Sequence, residues 1–354
     1  LPIFIPSNDF SLYDGVLDTA FLLNAIPQRY QDLGLGDVDT YFAMARGYQG
    51  TAGDVKAFSM KKWFNTNYHY MVPEIEDTVD IKLRSSAFLD GYRQAKELDI
   101  ETKPILVGPF TFLKLADFVG KKTVADVLPA ILAAYEDIFK VAEDQGVAWL
   151  QLDEPYLVRD LTKEDVELFA SIYEKLLPKK GHLKVLLPTY FGDVRDCYET
   201  LTGLDFDGIG LDFVEGKETA DLLNKYGFPQ DKTLFVGLVN GKNIWRTDYK
   251  KVLGILNGLS QKGYDLVLST SCSLLHVPYT VANESKLSQD VTKHFSFACE
   301  KLGELHEIGT LADLADYEAD DSYQANQALF ADNQLRVDKG VQAAVAALTE
   351  ADFK

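Results

Sequence analysis

The stretch KVLLPTYF, residues 184–191, decides the fold because its apolar residues stand at consecutive positions, with polar residues near its end. Continuous apolar runs of this length are typical of strands buried on both faces of a parallel sheet. Seven further runs of this kind occur, namely LPIFI (1–5), NYHYMV (67–72), PILVGPF (104–110), AWLQLDEP (148–155), GIGLDF (208–213), LFVGLVNG (234–241) and LVLSTSCS (266–273).

Amphipathic segments lie between these runs. In residues 131–145 and again in residues 284–305, apolar side chains recur at three- and four-residue steps, which predicts helices. Strand and helix thus alternate about eight times, and the sequence predicts an α/β protein with a (β/α)8 TIM-type barrel. A doubly wound sheet is the alternative, but the chain lacks the Gly-x-Gly-x-x-Gly turn of a nucleotide-binding fold.

Composition and charge narrow the class of partner. The 354 residues include 35 basic and 54 acidic side chains, a net charge of −19, which argues against nucleic acid and anionic membranes as partners. No apolar run approaches the roughly 20 residues of a membrane-spanning helix. Three widely spaced cysteines, Cys197, Cys272 and Cys299, form no disulfide framework. We therefore expect a cytoplasmic protein.

Polar side chains stand where the predicted strands end. In a barrel these ends meet at one rim, where functional groups are expected. The residues concerned are Asn8, Asp9, Asn67, His69, Asp153, Glu154, Thr189, Tyr190, Asp212, Asn240, Asn243, Ser271 and Cys272.

Among these groups, two adjacent carboxylates, Asp153 and Glu154, suggest a functional role most strongly. They could serve as acid and base, but neighbouring residues on a strand face opposite ways. We expect one of them to reach the rim and the other to be structural, with binding or capping favoured over catalysis for the pair.

Cys272 and His276, in STSCSLLHVP (269–278), raise the question of a metal. A zinc site needs three or four converging Cys, His or acidic ligands, and His69 is the only further candidate. A buried thiol and a loop histidine are the favoured interpretation, so we expect no metal site in this chain.

The segment KKWFNTNYHYMVPE, residues 61–74, has neither strand alternation nor a helical stripe. Its aromatic residues are expected to pack a loop onto the barrel. Lys61 and Lys62 form a local positive patch on an acidic protein, and a lysine pair of this kind would suit a flexible, multiply charged anion.

Five segments together resemble one known family. They are NDFSLYDGVLD (8–18), KKWFNTNYHYMVPE (61–74), VLLPTYFGD (185–193), LVNGKNIW (238–245) and STSCSLLHVP (269–278). In this order they resemble the N-terminal half of cobalamin-independent methionine synthase, which moves a methyl group from 5-methyltetrahydropteroyltri-glutamate to homocysteine. KWFNTNYHY is highly specific to that family, whereas the DEP triplet alone is shared by related barrels.

The resemblance implies two barrels that arose by duplication. The C-terminal barrel would hold zinc and homocysteine, without cobalamin, and this half would be free of metal and of catalytic residues. Residues 1–320 would form the N-terminal barrel, and residues 321–354 a helical tail leading to the C-terminal barrel of the same polypeptide. We expect a trimmed N-terminus, because the chain starts at Leu1 and the family has an earlier strand with an Arg-rich folate-binding motif. In that case the first barrel strand is missing, and the run at 67–72 lies outside the barrel.

The duplication also implies which residues matter here. The positions that would match the zinc ligands carry PTYF (188–191), LDF (211–213) and TSCS (270–273), and only Cys272 agrees with a ligand. The family's folate contact falls on Lys62, which would meet the glutamate tail. Asp153 matches a substrate-binding aspartate of the catalytic half and is expected to be structural here.

Two alternatives remain open at this point. One is a free-standing barrel decarboxylase or hydrolase that uses Asp153, Glu154 and His69, an idea based on fold analogy. The other is a non-catalytic folate-binding module.

Overall fold

A computed structural model describes residues 4–331 and 338–353 as an α/β protein. Residues 1–3 of the first predicted strand, and residues 332–337 and 354 of the predicted tail, lie outside the described residues. The strands are β1 Ile5–Pro6, β2 Tyr48–Gly50, β3 Gly53–Val55, β4 Met60–Lys62, β5 His69–Met71, β6 Glu74–Glu76, β7 Thr102–Lys103, β8 Ile105–Val107, β9 Asp117–Val119, β10 Trp149–Asp153, β11 Lys184–Pro188, β12 Gly208–Asp212, β13 Thr233–Val239 and β14 Asp265–Thr270.

The helices alternate with the strands of the second half of this order. They are α1 Gly15–Leu22, α2 Gln28–Gln31, α3 Asp37–Arg46, α4 Asp90–Lys96, α5 Pro109–Leu115, α6 Val124–Asp144, α7 Lys163–Leu176, α8 Tyr198–Gly203, α9 Thr219–Tyr226, α10 Tyr249–Ser260, α11 Gln289–Thr292, α12 Ala298–Ala312, α13 Asp321–Ala331 and α14 Lys339–Ala346. The predicted helix at 131–145 is confirmed within α6.

Six of the predicted strands form one sheet, in the order β14-β13-β12-β11-β10-β8. The pairs from β8 to β13 are parallel, as the apolar runs predict. The first predicted strand contributes β1, which pairs in parallel with β7, and only Pro104 separates β7 from β8. Proline has no amide hydrogen to donate, so the ladder is interrupted there.

The run at 67–72 is not a strand of this sheet. It contributes β5, which pairs antiparallel with β4 in a separate hairpin. The interpretation of all eight runs as sheet strands is therefore wrong for this one, and its expected place outside the closed barrel stays a prediction. The described strands do not form a closed ring, because the sheet order runs from β14 to β8 without joining its ends. The closed barrel stays a prediction.

The predicted helix at 284–305 is interrupted. Residues 293–297 separate α11 from α12 because their backbone bonds to another segment: the Arg246 amide donates to the His294 carbonyl at 3.0 Å, and the Ser296 amide donates to the Ile244 carbonyl at 2.7 Å. Phe295 belongs to the apolar pattern that predicts the helix at 284–305, but in the structure it stacks on Phe297 with ring centroids 5.9 Å apart. Its place in the pattern therefore reflects local packing and not the apolar face of a helix.

Compactness divides the described chain into two units. The first contains the residues through Leu238 together with Tyr264–Cys272, and the second contains Val239–Gly263 together with the described residues from Ser273 onward. The division does not test the sequence boundary at residue 320, which stays a prediction.

Inside the first unit, large side chains from strands far apart in the sheet order converge. Phe4, just before β1, lies edge to face with Trp149 of β10 and Phe235 of β13, at centroid distances of 5.5 and 5.1 Å. Leu186 and Val267 complete this cluster. Strands that are not neighbours can share such a cluster only if the sheet curves strongly.

The carboxylate of Asp14 joins α1 to the β4–β5 hairpin. One oxygen, Oδ1, accepts hydrogen bonds from the amides of Val16 and Leu17 at 2.8 and 3.1 Å, which caps the start of α1. The other oxygen, Oδ2, accepts from the Met71 amide at 3.0 Å. Asp14 is fully buried, and burial raises its pKa to about 6.

We predict that Asp14→Ala lowers the free energy of unfolding by about 2 to 4 kcal/mol, because three amides lose their acceptor and one of them holds the hairpin. Urea unfolding followed by tryptophan fluorescence measures the change. Asp338→Ala is the matched control, since Asp338 caps the exposed α14 through the Val341 amide alone, at 2.9 Å. Its loss should be about 1 kcal/mol or less, and equal losses for the two variants would contradict the role given to Asp14.

Candidate ligand-binding site

The β4–β5 hairpin presents two different faces. Its cross-strand pairs are Met60 with Met71, Lys61 with Tyr70 and Lys62 with His69. Side chains alternate along a strand, and directly opposed residues share a face. Lys62 therefore shares its face with Met60 and His69, while Lys61 lies on the opposite face beside Tyr70.

The turn between β4 and β5 is fixed by internal hydrogen bonds. The Trp63 amide donates to the Tyr68 carbonyl at 2.8 Å, and the Thr66 hydroxyl donates to the Trp63 carbonyl at 2.6 Å. The Tyr68 amide donates to that same hydroxyl at 3.1 Å. Phe64 has a φ of 50°, which is uncommon for a bulky residue and is tolerated here by the surrounding bonds.

Aromatic contacts anchor this turn to the segments that follow β10 and β11. Phe64 meets Trp63, Phe191 and Tyr156 at centroid distances of 4.9, 5.8 and 6.5 Å. The Arg159 guanidinium lies 5.1 Å from the Phe64 ring centre. The expectation that the aromatics pack this loop is confirmed, and the lysine next to it stands on a supported element.

The two lysines of the hairpin differ in their partners. Lys61 lies 3.3 Å from the Asp117 carboxylate, and both side chains are about half exposed. Lys62 is exposed and has no ion pair or side-chain hydrogen bond within residues 4–331 and 338–353. Of the pair, Lys62 is the cation that remains available to an external anion.

Asp153 and Glu154 face opposite ways, as the strand alternation predicts. Glu154 is fully buried and accepts hydrogen bonds from the Phe110 and Thr111 amides at 3.0 and 2.6 Å and from the Tyr173 hydroxyl at 2.5 Å. Burial raises its pKa to about 7, and these donors oppose the rise. Glu154 therefore caps the start of α5 and has the structural role expected for one of the two carboxylates.

Asp153 belongs to a second polar cluster. It accepts from the Gln151 amide group at 2.7 Å and from the Tyr190 hydroxyl at 2.9 Å, and burial raises its pKa to about 6. Lys103, a residue that the sequence analysis does not single out, donates to the Gln151 side chain. Burial lowers the pKa of Lys103 to about 8, an effect that the charges of Asp153 and Asp9 oppose.

The other strand-end side chains mainly satisfy backbone groups. Asn8 replaces a strand partner, since its side chain both accepts from the Ile105 amide and donates to the Ile105 carbonyl at 2.6 Å. The Thr189 hydroxyl donates a hydrogen bond to the Gly210 carbonyl. The Asp212 carboxylate accepts hydrogen bonds from the amides of Phe191, Val214 and Glu215. The Asn240 side chain accepts from the amides of Lys242 and Asn243. Asn243 accepts in turn from the Trp245 amide. These groups stabilise loops.

The described residues do not fit a zinc site. Residues 4–331 and 338–353 contain no group of three His, Cys, Asp or Glu side chains that could hold a metal ion. Ser271 and Cys272 are buried, and His276 lies in a short 3-10 turn, Leu274–His276. His69 is exposed on the hairpin, with Nδ1 3.0 Å from the Asn67 carbonyl oxygen. This is also not the arrangement that a hydrolase using Asp153, Glu154 and His69 would need, because Glu154 is enclosed and His69 is not.

A surface pocket lies beside the Lys62 face of the hairpin. Its volume is about 290 Å³, and it is lined by Tyr13, Ala45, Arg46, Ala57, Phe58, Met60 and Met71. The apolar pattern and the motifs of the sequence do not point to Arg46. The one local indication is the glycine that follows it, because a glycine commonly comes directly after the last residue of a helix. In the structure Arg46 is the last residue of α3, and Gly47 has a φ of 78°.

Comparison with known proteins gives a family match over most of the chain. Residues 3–264 match the family described as "Cobalamin-independent synthase, N-terminal domain". A 5-methyltetrahydropteroyltriglutamate–homocysteine methyltransferase from Lactococcus lactis subsp. lactis is 50% identical over 98% of this chain. The protein of that name from Bifidobacterium adolescentis is 51% identical over 99% of this chain. The chain spans 45% and 46% of these relatives, respectively.

Two solved structures share the fold. A putative vitamin-B12 independent methionine synthase from Listeria monocytogenes has a TM-score of 0.54 at 19% identity, covering 68% of this chain and 72% of its own. A B12-independent methionine synthase from Shewanella sp. W3-18-1 has a TM-score of 0.51 at 16% identity, covering 71% and 74%. Among residues 4–331 and 338–353, no helix has the length and apolar character required to cross a membrane.

We predict a pH signature for Glu154. Its folded pKa of about 7 lies above the ordinary 4.5, so between these values the folded chain binds a proton that the unfolded chain does not. Its contribution to the free energy of unfolding must therefore fall as pH rises from about 4.5 to 7. Relative to Glu154→Gln, the wild type should gain about 1 to 3 kcal/mol between pH 8 and pH 5, measured by urea unfolding.

Asp144→Asn serves as the control, because it alters an exposed carboxylate that pairs with Lys140 on α6. A difference between wild type and Glu154→Gln that stays constant with pH would contradict the assignment of a proton to buried Glu154.

Proposed function

The chain belongs to the cobalamin-independent methionine synthase family, and from this membership we propose that it is the N-terminal domain of an enzyme that transfers a methyl group from 5-methyltetrahydropteroyltriglutamate to homocysteine. The observation that carries the proposal is about 50% identity to relatives of that name over almost the whole chain. Because the chain spans less than half of those relatives, the complete activity is proposed for the protein that carries it and not for this domain alone.

The domain's own contribution would be to hold the glutamate tail of the folate through Lys62. Three features support this role: Lys62 is exposed, it lacks an internal partner among the described residues, and it stands on a hairpin anchored by Phe64 and Asp14. A lysine ammonium meets a carboxylate as a point charge on a flexible stem. Such a contact suits a tail whose carboxylates are themselves mobile.

We further propose that the sheet closes into a (β/α)8 barrel. The contacts of Phe4 with Trp149 and Phe235 support a strongly curved sheet. On this proposal residues 1–320 form the N-terminal barrel and residues 321–354 lead towards a C-terminal barrel.

Zinc and homocysteine would belong to that C-terminal barrel. Residues 4–331 and 338–353 do not offer a set of zinc ligands, so no step of the chemistry is assigned to them. No cobalamin is expected, in keeping with the family. Cys197, Cys272 and Cys299 form no disulfide within residues 4–331 and 338–353, which suits a reducing compartment, and we propose the cytoplasm.

We predict that Lys62→Ala weakens binding of 5-methyltetrahydropteroyltriglutamate about two- to tenfold, as expected for loss of an exposed or partly exposed charge contact. Binding of the monoglutamate should change little, since its single glutamate stays close to the ring-bearing part of the ligand. Isothermal titration calorimetry with the two ligands, on the native protein that carries this chain, measures both affinities.

Lys61→Ala is the matched control, because Lys61 is the adjacent residue but is paired with Asp117 on the other hairpin face. It should leave both affinities close to those of the wild type. Equal losses for the triglutamate and the monoglutamate in Lys62→Ala would exclude a contact with the tail.

The size of the native protein provides a separate test. We predict that an antibody raised against this chain detects a polypeptide about twice its 39.6 kDa in a fresh extract, since a second barrel of roughly 250 residues or more must be accommodated. A band at 39.6 kDa would instead favour a free-standing folate-binding module or barrel enzyme.

A further inference from the structure

We propose that the pocket beside Met60 is a second carboxylate subsite, in which Arg46 pairs with one carboxylate of an oligo-γ-glutamate chain while Lys62 pairs with another. The inference rests on the proposed function, since it concerns the same ligand. It adds a residue and a position that the role of Lys62 alone does not contain.

The lining of the pocket suits an aliphatic chain that carries charge. The side chains of Ala45, Ala57, Phe58 and Met71 provide apolar surface, and Tyr13 and Arg46 provide the polar groups. Its volume is about 290 Å³, whereas pockets that enclose a whole drug-sized molecule begin at roughly 300 Å³. The pocket is therefore suited to a segment of a longer ligand.

Arg46 is exposed and chemically available. It ends α3, and within residues 4–331 and 338–353 it makes no ion pair or side-chain hydrogen bond. A guanidinium can donate two parallel hydrogen bonds to one carboxylate, which makes it a stronger and more directional partner than lysine.

The backbone around Arg46 is held in place. A Cβ on Gly47 would come within 2.8 Å of the Val55 carbonyl oxygen, so the chain can leave α3 along this path only because the residue is glycine. On the other side of the pocket, the Tyr13 amide donates to the Tyr41 hydroxyl at 3.1 Å, and the Tyr68 hydroxyl donates to the Tyr13 carbonyl at 3.3 Å. The pocket therefore does not have to be built by the ligand.

The spacing along β4 matches the repeat of the ligand. Met60, which lines the pocket, and Lys62 are two residues apart on one face of the strand, or roughly 6.6 Å at 3.3 Å per residue. One extended γ-linked glutamyl unit contains five backbone bonds and repeats every 6 Å or so, from about 1.3 to 1.5 Å per bond. Successive α-carboxylates of such a chain can thus reach Lys62 and the entrance of the pocket without folding back.

The test compares ligands of different length in matched variants. The probes are 5-methyltetrahydrofolates with one, two and three γ-linked glutamates, titrated calorimetrically into the native protein that carries this chain. In the wild type, affinity should rise with each added glutamate. Arg46→Ala should lower the affinity for the ligands with longer tails about two- to tenfold and leave the affinity for the monoglutamate unchanged.

Two further readouts distinguish a ligand contact from a structural effect. Arg46→Lys should recover part of the gain, because it restores charge without the two-donor geometry. Raising the salt concentration from 50 to 300 mM should reduce the gain in the wild type more than in Arg46→Ala, since exposed charge contacts are screened. Lys140→Ala, on the exposed surface of α6, is the control and should change none of these quantities.

The outcomes separate the inference from the proposed function. If Lys62→Ala reduces the gain and Arg46→Ala does not, the pocket is not a subsite although the role of Lys62 stands. If neither variant changes the dependence on tail length, the role of Lys62 fails as well. If Arg46→Ala lowers the melting temperature and weakens all ligands equally, Arg46 stabilises the fold and the subsite is excluded. The inference is supported if the rise in affinity with tail length is lost in Arg46→Ala and partly restored in Arg46→Lys.

Discussion

Burial of the parallel sheet on both faces is the constraint on which the rest of the structure depends. Strands β8 and β10 to β13 carry apolar side chains at most positions, so most of their polar side chains lie at the strand ends. There they meet the free amides of helix starts and loops. Glu154 shows the result, since its carboxylate is enclosed by three donors at the start of α5.

The same constraint explains why several polar side chains at the strand ends bind the backbone. Glu154, Asp212 and Asn8 use their oxygens to satisfy buried backbone groups, and a buried polar group without such a partner would be costly. Burial raises the pKa of Asp212 to about 6, while its bonds to backbone amides oppose that rise. The groups available to a ligand lie instead on an element outside the sheet, the β4–β5 hairpin and its neighbouring pocket.

The hairpin combines fixed support with an exposed charge. Asp14 of the α1 start and the contact of Phe64 with Phe191 hold the hairpin against the rest of the first unit. Lys62 projects from the hairpin face that it shares with Met60. A rigid support lowers the entropy lost when a mobile tail binds, because only the ligand and one side chain must be ordered. The exposed Lys62 and the adjacent pocket thus favour ligand recognition and positioning as the contribution of this domain.

The sequence by itself determined the α/β class, six strands of the sheet, the opposite orientations of Asp153 and Glu154, and the family, because apolar periodicity and specific motifs are local properties of the chain. It could not place the run at 67–72, since a short apolar segment pairs equally well in a hairpin or in a sheet. It also did not find the break at residues 293–297, which depends on backbone bonds to residues 244 and 246. Only the tertiary structure decided that Lys61 pairs with Asp117 while Lys62 has no such partner among the described residues, and that Arg46 lines a pocket with Met60, because these facts depend on which distant residues fold into contact.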